Sequence, residues 1–302
     1  MASAFSRRTA LATAAVASSL PLTTKAATKR SKIDFTKPED SLYAVVKLRG
    51  DLSGRRVLQW YTGTLSLVVP GKLPTPVCRY QGIIRTNWVP QPDGSYSYRT
   101  FDLGFFGNLE TGKHVEKVTN PLTGEIVEPT QVRDGPISSI YSVNGAFPNG
   151  AKPDFSKKLN LPWIVSGNDV WYSASFGFEF ANVLPPAQYP KLSSTDKVVQ
   201  RSQFTYKGRL SELEDESLTS APMETIMVVT STIHPWLMMG QMPGMQQIHT
   251  FSHKIAKVED SSREMQEFLA RVMPDYLDKE TPFEGVGNSF EAYKRQRIDK
   301  QG

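Results

Sequence analysis

The chain has 302 residues, of which 39% are hydrophobic and 22% charged, with a formal net charge of +5. That is enough apolar material for a packed core and too little net charge for an intrinsically disordered chain. The single cysteine, Cys78, excludes an intrachain disulfide and a cysteine-rich zinc cluster.

Residues 1–26 read as an export address and not as part of the fold. Ser6, Arg7, Arg8, Thr9, Ala10 and Leu11 make a twin-arginine pattern, a weakly apolar stretch runs from Ala10 to Leu20, and Pro21 ends it. The stretch is shorter than the roughly 20 apolar residues of a membrane helix, and Thr24, Ala26 and Ala27 offer small residues for cleavage. The segment resembles a Tat signal peptide, which implies the Tat export machinery as a partner and a periplasmic or secreted location. A mitochondrial presequence is the alternative. Because the segment carries Arg7, Arg8 and Lys25 and no acid, its removal lowers the net charge to about +2. No dense Lys/Arg stripe remains, so nucleic acid is not an expected partner. Residues 27–40, with Lys29, Arg30 and Lys32, read as a solvated linker.

From Ser41 the apolar residues recur with period two, punctuated by Gly, Pro, Asn and Asp. Leu42, Ala44, Val46 and Leu48 predict a first strand; residues 57–69, 77–89 and 96–106 predict three more, and the turn at Asn120–Glu125 predicts another running to Val132. Between 170 and 180, Tyr172, Ala174, Phe176, Phe178 and Phe180 point one way, while Trp171, Ser173, Ser175 and Glu179 point the other. Further strands are expected at 198–206, 224–231 and 245–255, a long loop from Asn144 to Trp163, and helices at 261–273 and 289–297. The expected architecture is mainly β: an antiparallel meander over residues 41–285 closing into a large lipocalin-like β-barrel, with a C-terminal helix or tail over 286–302.

Several segments follow one another in a recurring order: Asp34-Phe35-Thr36, Gly82 with Trp88 to Pro90, Thr111-Gly112, Asn120-Pro121-Leu122-Thr123-Gly124-Glu125, Asp134-Gly135-Pro136, and His234-Pro235-Trp236-Leu237-Met238-Met239-Gly240 with Pro243-Gly244. In this the chain resembles the family named domain of unknown function 1838. The resemblance covers nearly all of the chain beyond residue 26 and implies one domain in a secreted bacterial setting. It supplies no catalytic residues.

Chemistry is therefore sought in the side chains. On a strand, His249 and His253 share a face with backbones about 13 Å apart, too far for one metal ion without a bulge. No metal site is expected. His249, among apolar neighbours, and His234, before Pro235-Trp236, are the candidate proton shuttles. Arg85, between Ile84 and Trp88, is the candidate anion stabiliser. Trp88, Glu179, Trp236 and Met239 are the candidate substrate-binding groups, whereas Asn120 and Asp134 read first as turn caps.

Nucleophile elbows, phosphate loops and dinucleotide fingerprints are missing, so no cofactor is implied. The function expected is an exported enzyme catalysing cofactor-independent proton transfer, of lyase, isomerase or hydratase type, on a hydrophobic or aromatic small molecule. The alternative is a non-catalytic carrier of such a molecule. A third reading, an envelope-interaction protein, requires exposed Trp and Met clusters.

Overall fold

The computed structural model describes residues 32–130, 132–148, 154–240, 242–278 and 288–300. The proposed export segment lies outside the described residues.

The first element corrects the sequence reading. Residues expected as a strand form helix α1 (Pro38–Arg49). Pro38 stands in the first turn, where its missing N–H costs nothing, Glu39 and Asp40 lie at the positive end, and Lys47 and Arg49 lie at the negative end. Seven of its residues, Ser41, Leu42, Ala44, Val45, Val46, Lys47 and Leu48, are buried. A helix enclosed all round has no polar stripe to reveal its period.

In chain order the strands are β1 (Val57–Val68), β2 (Thr75–Pro90), β3 (Tyr96–Gly107), β4 (Val118–Thr119), β5 (Ile126–Val127), β6 (Val132–Ser142), β7 (Gly145–Pro148), β8 (Trp163–Ser166), β9 (Asp169–Ala181), β10 (Lys197–Arg209), β11 (Glu224–Ser231) and β12 (Met245–Ile255). The strand expected to run on to Val132 is instead the short β5 followed by a separate β6, and the long loop carries β7 and β8 at its ends. β4 and β5 pair alone; the other ten form one antiparallel sheet in the order β7-β6-β3-β2-β1-β12-β11-β10-β9-β8. Two five-strand meanders thus meet at the β1·β12 seam, where Leu58 stands opposite Ile255. The end strands β7 and β8 make no ladder with each other, so the mainly β, antiparallel sheet is a curled half-barrel with a slot along one side.

The contacts of α1 define the inside. It packs with Trp88 of β2 and Tyr141 of β6, and equally with Tyr172 of β9 and Tyr206 of β10. One helix can touch strands so far apart in the order only from the concave side. The short helix α2 (Leu210–Glu214) adds Leu213 to this cluster. Helix α3 (Arg263–Val272) covers the convex face of the first meander, with Met265, Phe268 and Leu269 against Leu58, Ile83, Leu103 and Phe105. Ser262 caps it, accepting from the Met265 N–H at 3.1 Å.

At the end of the interior opposite α1, a single helical turn at Pro235–Leu237 packs Trp236 and Leu237 against Phe106, Tyr80 and Ile248. Helix α4 (Ser289–Tyr293) buries Phe290 against Leu184 and Val198 beside it. Between the two plugs the concave face keeps half-buried side chains, among them Ile84, Asp102, Phe204 and Met227, which line a shallow trough. Among the described residues no helix is long and apolar enough to cross a membrane.

Candidate active site

Pairing partners in an antiparallel ladder share a face, so the register gives the lining of the trough. Tyr98, Thr100, Asp102, Gly104 and Phe106 of β3 stand beside Trp88, Thr86, Ile84, Gly82 and Tyr80 of β2. Gly82 in turn neighbours Tyr61 of β1, and Gly63 neighbours Thr250 of β12. The far wall carries Met227 of β11 opposite Phe204 of β10, and Phe176 of β9 opposite Ser202 of β10. Phe176 and Phe178 are 46% and 51% exposed, and across the slot Ile137 of β6 is 48% exposed. Both lips are therefore apolar and open.

The polar centre of the trough is Asp102. Its Oδ1 lies 2.9 Å from the Tyr61 hydroxyl, which lies 3.0 Å from the hydroxyl of Tyr80. A phenol has one proton. When Tyr61 donates to the carboxylate, Tyr80 is left to donate to Tyr61, and the chain of bonds polarises toward Asp102. Gly82 and Gly104 make the contact possible, because a Cβ on either would overlap the Tyr61 hydroxyl.

Burial pushes the Asp102 carboxyl up to about 7, against the Tyr61 hydrogen bond and with help from nearby Asp134. Asp134 stands directly opposite it across the β3·β6 ladder, and burial raises its pKa too. The second oxygen of Asp102 has no partner among the described residues, and the side chain keeps part of its surface open. Both tyrosines are pushed well up, chiefly by burial, and stay protonated.

His234 lies at the Trp236 end. Its Nδ1 accepts from the Trp236 indole N–H at 3.3 Å, which leaves the proton on Nε2. Burial lowers its pKa to about 4, so it is a neutral donor near pH 7. Trp236 meets Phe106 at 5.1 Å, Phe106 meets Tyr80 at 5.2 Å, and Tyr80 meets Tyr61 at 5.1 Å between ring centroids. A continuous aromatic wall joins His234 to Asp102.

The other sequence candidates are placed differently. His249 is exposed on the convex face, paired with Thr64 and Val228, and its ring lies 5.0 Å from exposed Phe251. Alternation correctly groups it with Phe251 and His253, but that face points outward, so it cannot serve the trough. Arg85 also projects from the convex side; it is buried under the chain after α3, stacked on Phe101 at 4.1 Å and Tyr276 at 4.9 Å, and donates to the Leu277 carbonyl. Glu179 is convex and exposed, ion-paired with Lys197 at 2.6 Å. Trp236 and Met239 are plug residues, 1% and 6% exposed, with Met239 Sδ 3.1 Å from Asn120 Nδ2. Trp88 does lie in the concave interior, fully buried against Tyr98 and Tyr141. Trp88, Trp236 and Met239 thus lie inside the fold, while Met238, Met242 and Met245 are half-buried. Asn120 caps its turn as expected, accepting from the Leu122 N–H at 2.9 Å.

Two clefts of about 630 and 340 Å³ lie elsewhere on the surface. The first is lined by Phe35, Pro38 and residues 158–163 and contains no opposed acid and base; in the second, Asp169 is already paired with Lys207 at 3.7 Å. Among the described residues no three His, Cys, Asp or Glu side chains are grouped to hold a metal ion. The family model described as Protein of unknown function (DUF1838) matches residues 54–295, from the turn just before β1 to just past α4. No curated protein matches the chain.

Proposed function

The chain belongs to the DUF1838 family, and from that premise, which names no reaction, we propose that it is a small-molecule enzyme moving protons within the trough, with Asp102 as general acid–base. The observation that carries this is the Asp102 carboxyl facing Asp134 and held 2.9 Å from Tyr61 on a concave, half-open surface. A carboxyl poised near 7 takes a proton and returns it at neutral pH with little penalty in either direction. Asp134, when protonated, donates to an oxygen on which charge develops, as the neutral Nε2–H of His234 does farther along. The apolar lips select a hydrophobic or aromatic substrate, and the reaction class is isomerisation, hydration or elimination, or lyase cleavage.

The test is deuterium exchange into a panel of apolar ketones and hydroxy-acids in heavy water, read by mass spectrometry. Asp102→Asn is expected to slow exchange by about 10²–10⁴-fold; exchange untouched by that substitution removes the reading. The apolar lips equally support a carrier of apolar molecules. A carrier converts none of them, and Asp102→Asn then changes affinity only.

Export is proposed from residues 6–27 alone. Protein recovered from a bacterial envelope fraction should begin near Ala27, and an intact Met1 there counts against it.

A further inference from the structure

We propose that Arg49 and the phenols around it receive an anionic group, a carboxylate or a comparable oxyanion, on the molecule that occupies the trough. This rests on the trough being a small-molecule site and says which chemical class enters it.

Arg49 ends α1 and projects into the concave interior between the two meanders. Its guanidinium carbon is 4.7 Å from the ring centre of Tyr206, 5.3 Å from those of Trp88 and Tyr98, and 5.8 Å from that of Tyr141. One of its five N–H groups donates to the Tyr141 hydroxyl at 3.1 Å. It forms no ion pair with any described residue, yet part of its surface stays open. The charges nearest the end of α1 do not compensate it. Lys254 donates to the carbonyls of Lys47 and Gly50 at 3.1 and 2.9 Å, and Asp51 is engaged by Arg55 at 3.0 Å. An enclosed cation without a counter-charge is costly, and an anionic ligand removes the cost.

A second observation points the same way. The Tyr172 hydroxyl is buried, with the residue 1% exposed, and lies beside the Arg49 guanidinium without a partner at full hydrogen-bond geometry; its ring stacks on Tyr206 at 5.0 Å. The indole N–H of Trp88 is likewise buried and unpaired. Such donors without a well-formed bond are uncommon in a folded interior, and here they stand beside a cation that has no counter-charge. Burial raises the Tyr172 phenol far above its ordinary range and that of Tyr206 to about 12, so both remain donors. An oxyanion accepts from such a set bidentately.

Position gives the shape of the ligand. Tyr98 and Asp102 share the concave face of β3 four residues apart, about 13 Å. A molecule anchored at Arg49 therefore reaches Asp102 with a body roughly that long, running past Ile84, Phe204 and Met227. The class is an elongated amphiphile with one anionic end.

Calorimetric titration of the full chain with 4-phenylbutanoate and with its neutral amide tests this. The carboxylate should bind at least tenfold tighter, Arg49→Gln should abolish the difference, and Tyr172→Phe should weaken carboxylate binding several-fold while leaving the unliganded protein equally stable or more so. Equal binding of acid and amide, no binding of either, or discrimination that survives in folded Arg49→Gln overturns the proposal. If Arg49→Gln fails to fold, Tyr172→Phe decides, and unchanged affinity there overturns it. Asp102→Asn should keep the discrimination; if that variant loses turnover while acid and amide bind alike, proton transfer stands and the anion site falls.

Discussion

Asp102 and Asp134 face each other across β3 and β6 because the ladder has one extra residue on β6. Thr100 pairs with Ile137, but the next concave residue of β3, Asp102, pairs with Asp134. In unbroken register Gly135 would oppose Asp102 and Arg133 would point into the trough. The bulge exchanges a cation for a carboxylate. Gly135, at φ +125°, is the residue that permits it, since a Cβ there would meet the Thr100 carbonyl oxygen at 2.7 Å.

Asp102→Asn should stabilise the protein at alkaline pH while disabling it. The carboxyl titrates near 3.8 in an unfolded chain and at about 7 when folded. Between those values the folded state binds more protons, so stability falls as pH rises through the window. Asparagine removes that loss. Urea denaturation at pH 8 should show a gain on the order of 1–3 kcal/mol, and no difference at pH 4.

His234 has the opposite sign. Its pKa is depressed from 6.5 to about 4, so the unfolded chain binds more protons between these values and stability is lost as pH falls from 6.5 toward 4. His234→Gln should flatten this acid limb. Proton NMR should find the imidazole neutral at pH 5.5.

Gly104→Ala forces the Tyr61 hydroxyl off its site. A cost of about 1–3 kcal/mol is expected, and Tyr61→Phe, which deletes the colliding oxygen, should recover part of it. The coupling is read from a double-mutant cycle; simple additivity would mean the ring has another position.

Lys254 fastens α1 to the sheet by sharing its three N–H donors among four acceptors, the Lys47, Gly50 and Ala221 carbonyls and the Ser220 hydroxyl, at 2.8–3.1 Å. Lys254→Met removes the donor to the Ala221 carbonyl, while the Lys47 and Gly50 carbonyls keep the Ala221 N–H at 2.9 Å and the Ser220 hydroxyl at 2.7 Å, so a cost of about 1–3 kcal/mol is expected in denaturant titrations.

His249→Gln should leave turnover unchanged, because the imidazole is on the convex side. A measured loss would place chemistry outside the trough. This residue marks where sequence reasoning stops. Alternation shows that Met245, Gln247, His249, Phe251 and His253 share a face. It does not say which face is concave, because α3 covers part of the convex side and makes both faces of the sheet partly apolar. The strands themselves were legible, since half-buried β structure prints its period directly. Helix α1 was not, because burial on every side erases periodicity, and Arg49 was hidden with it. Asp134 was visible as a residue before Gly135, but its partner was not: pairing across a bulge leaves no spacing signal. The available hint for Asp102 was an acid in the aromatic run from Tyr96 to Phe106.

The β1·β12 seam also sets a timetable. Gln59 and Ser252 bond across it at 2.6 Å although 193 positions separate them. At ordinary rates of synthesis, that distance is about 10–40 s of translation. Throughout that interval β1 is an uncovered border with unsatisfied amides, open to any passing strand. Newborn chains should therefore be most vulnerable to aggregation late in synthesis, and a truncation before β12 should precipitate although it retains nine of the ten sheet strands.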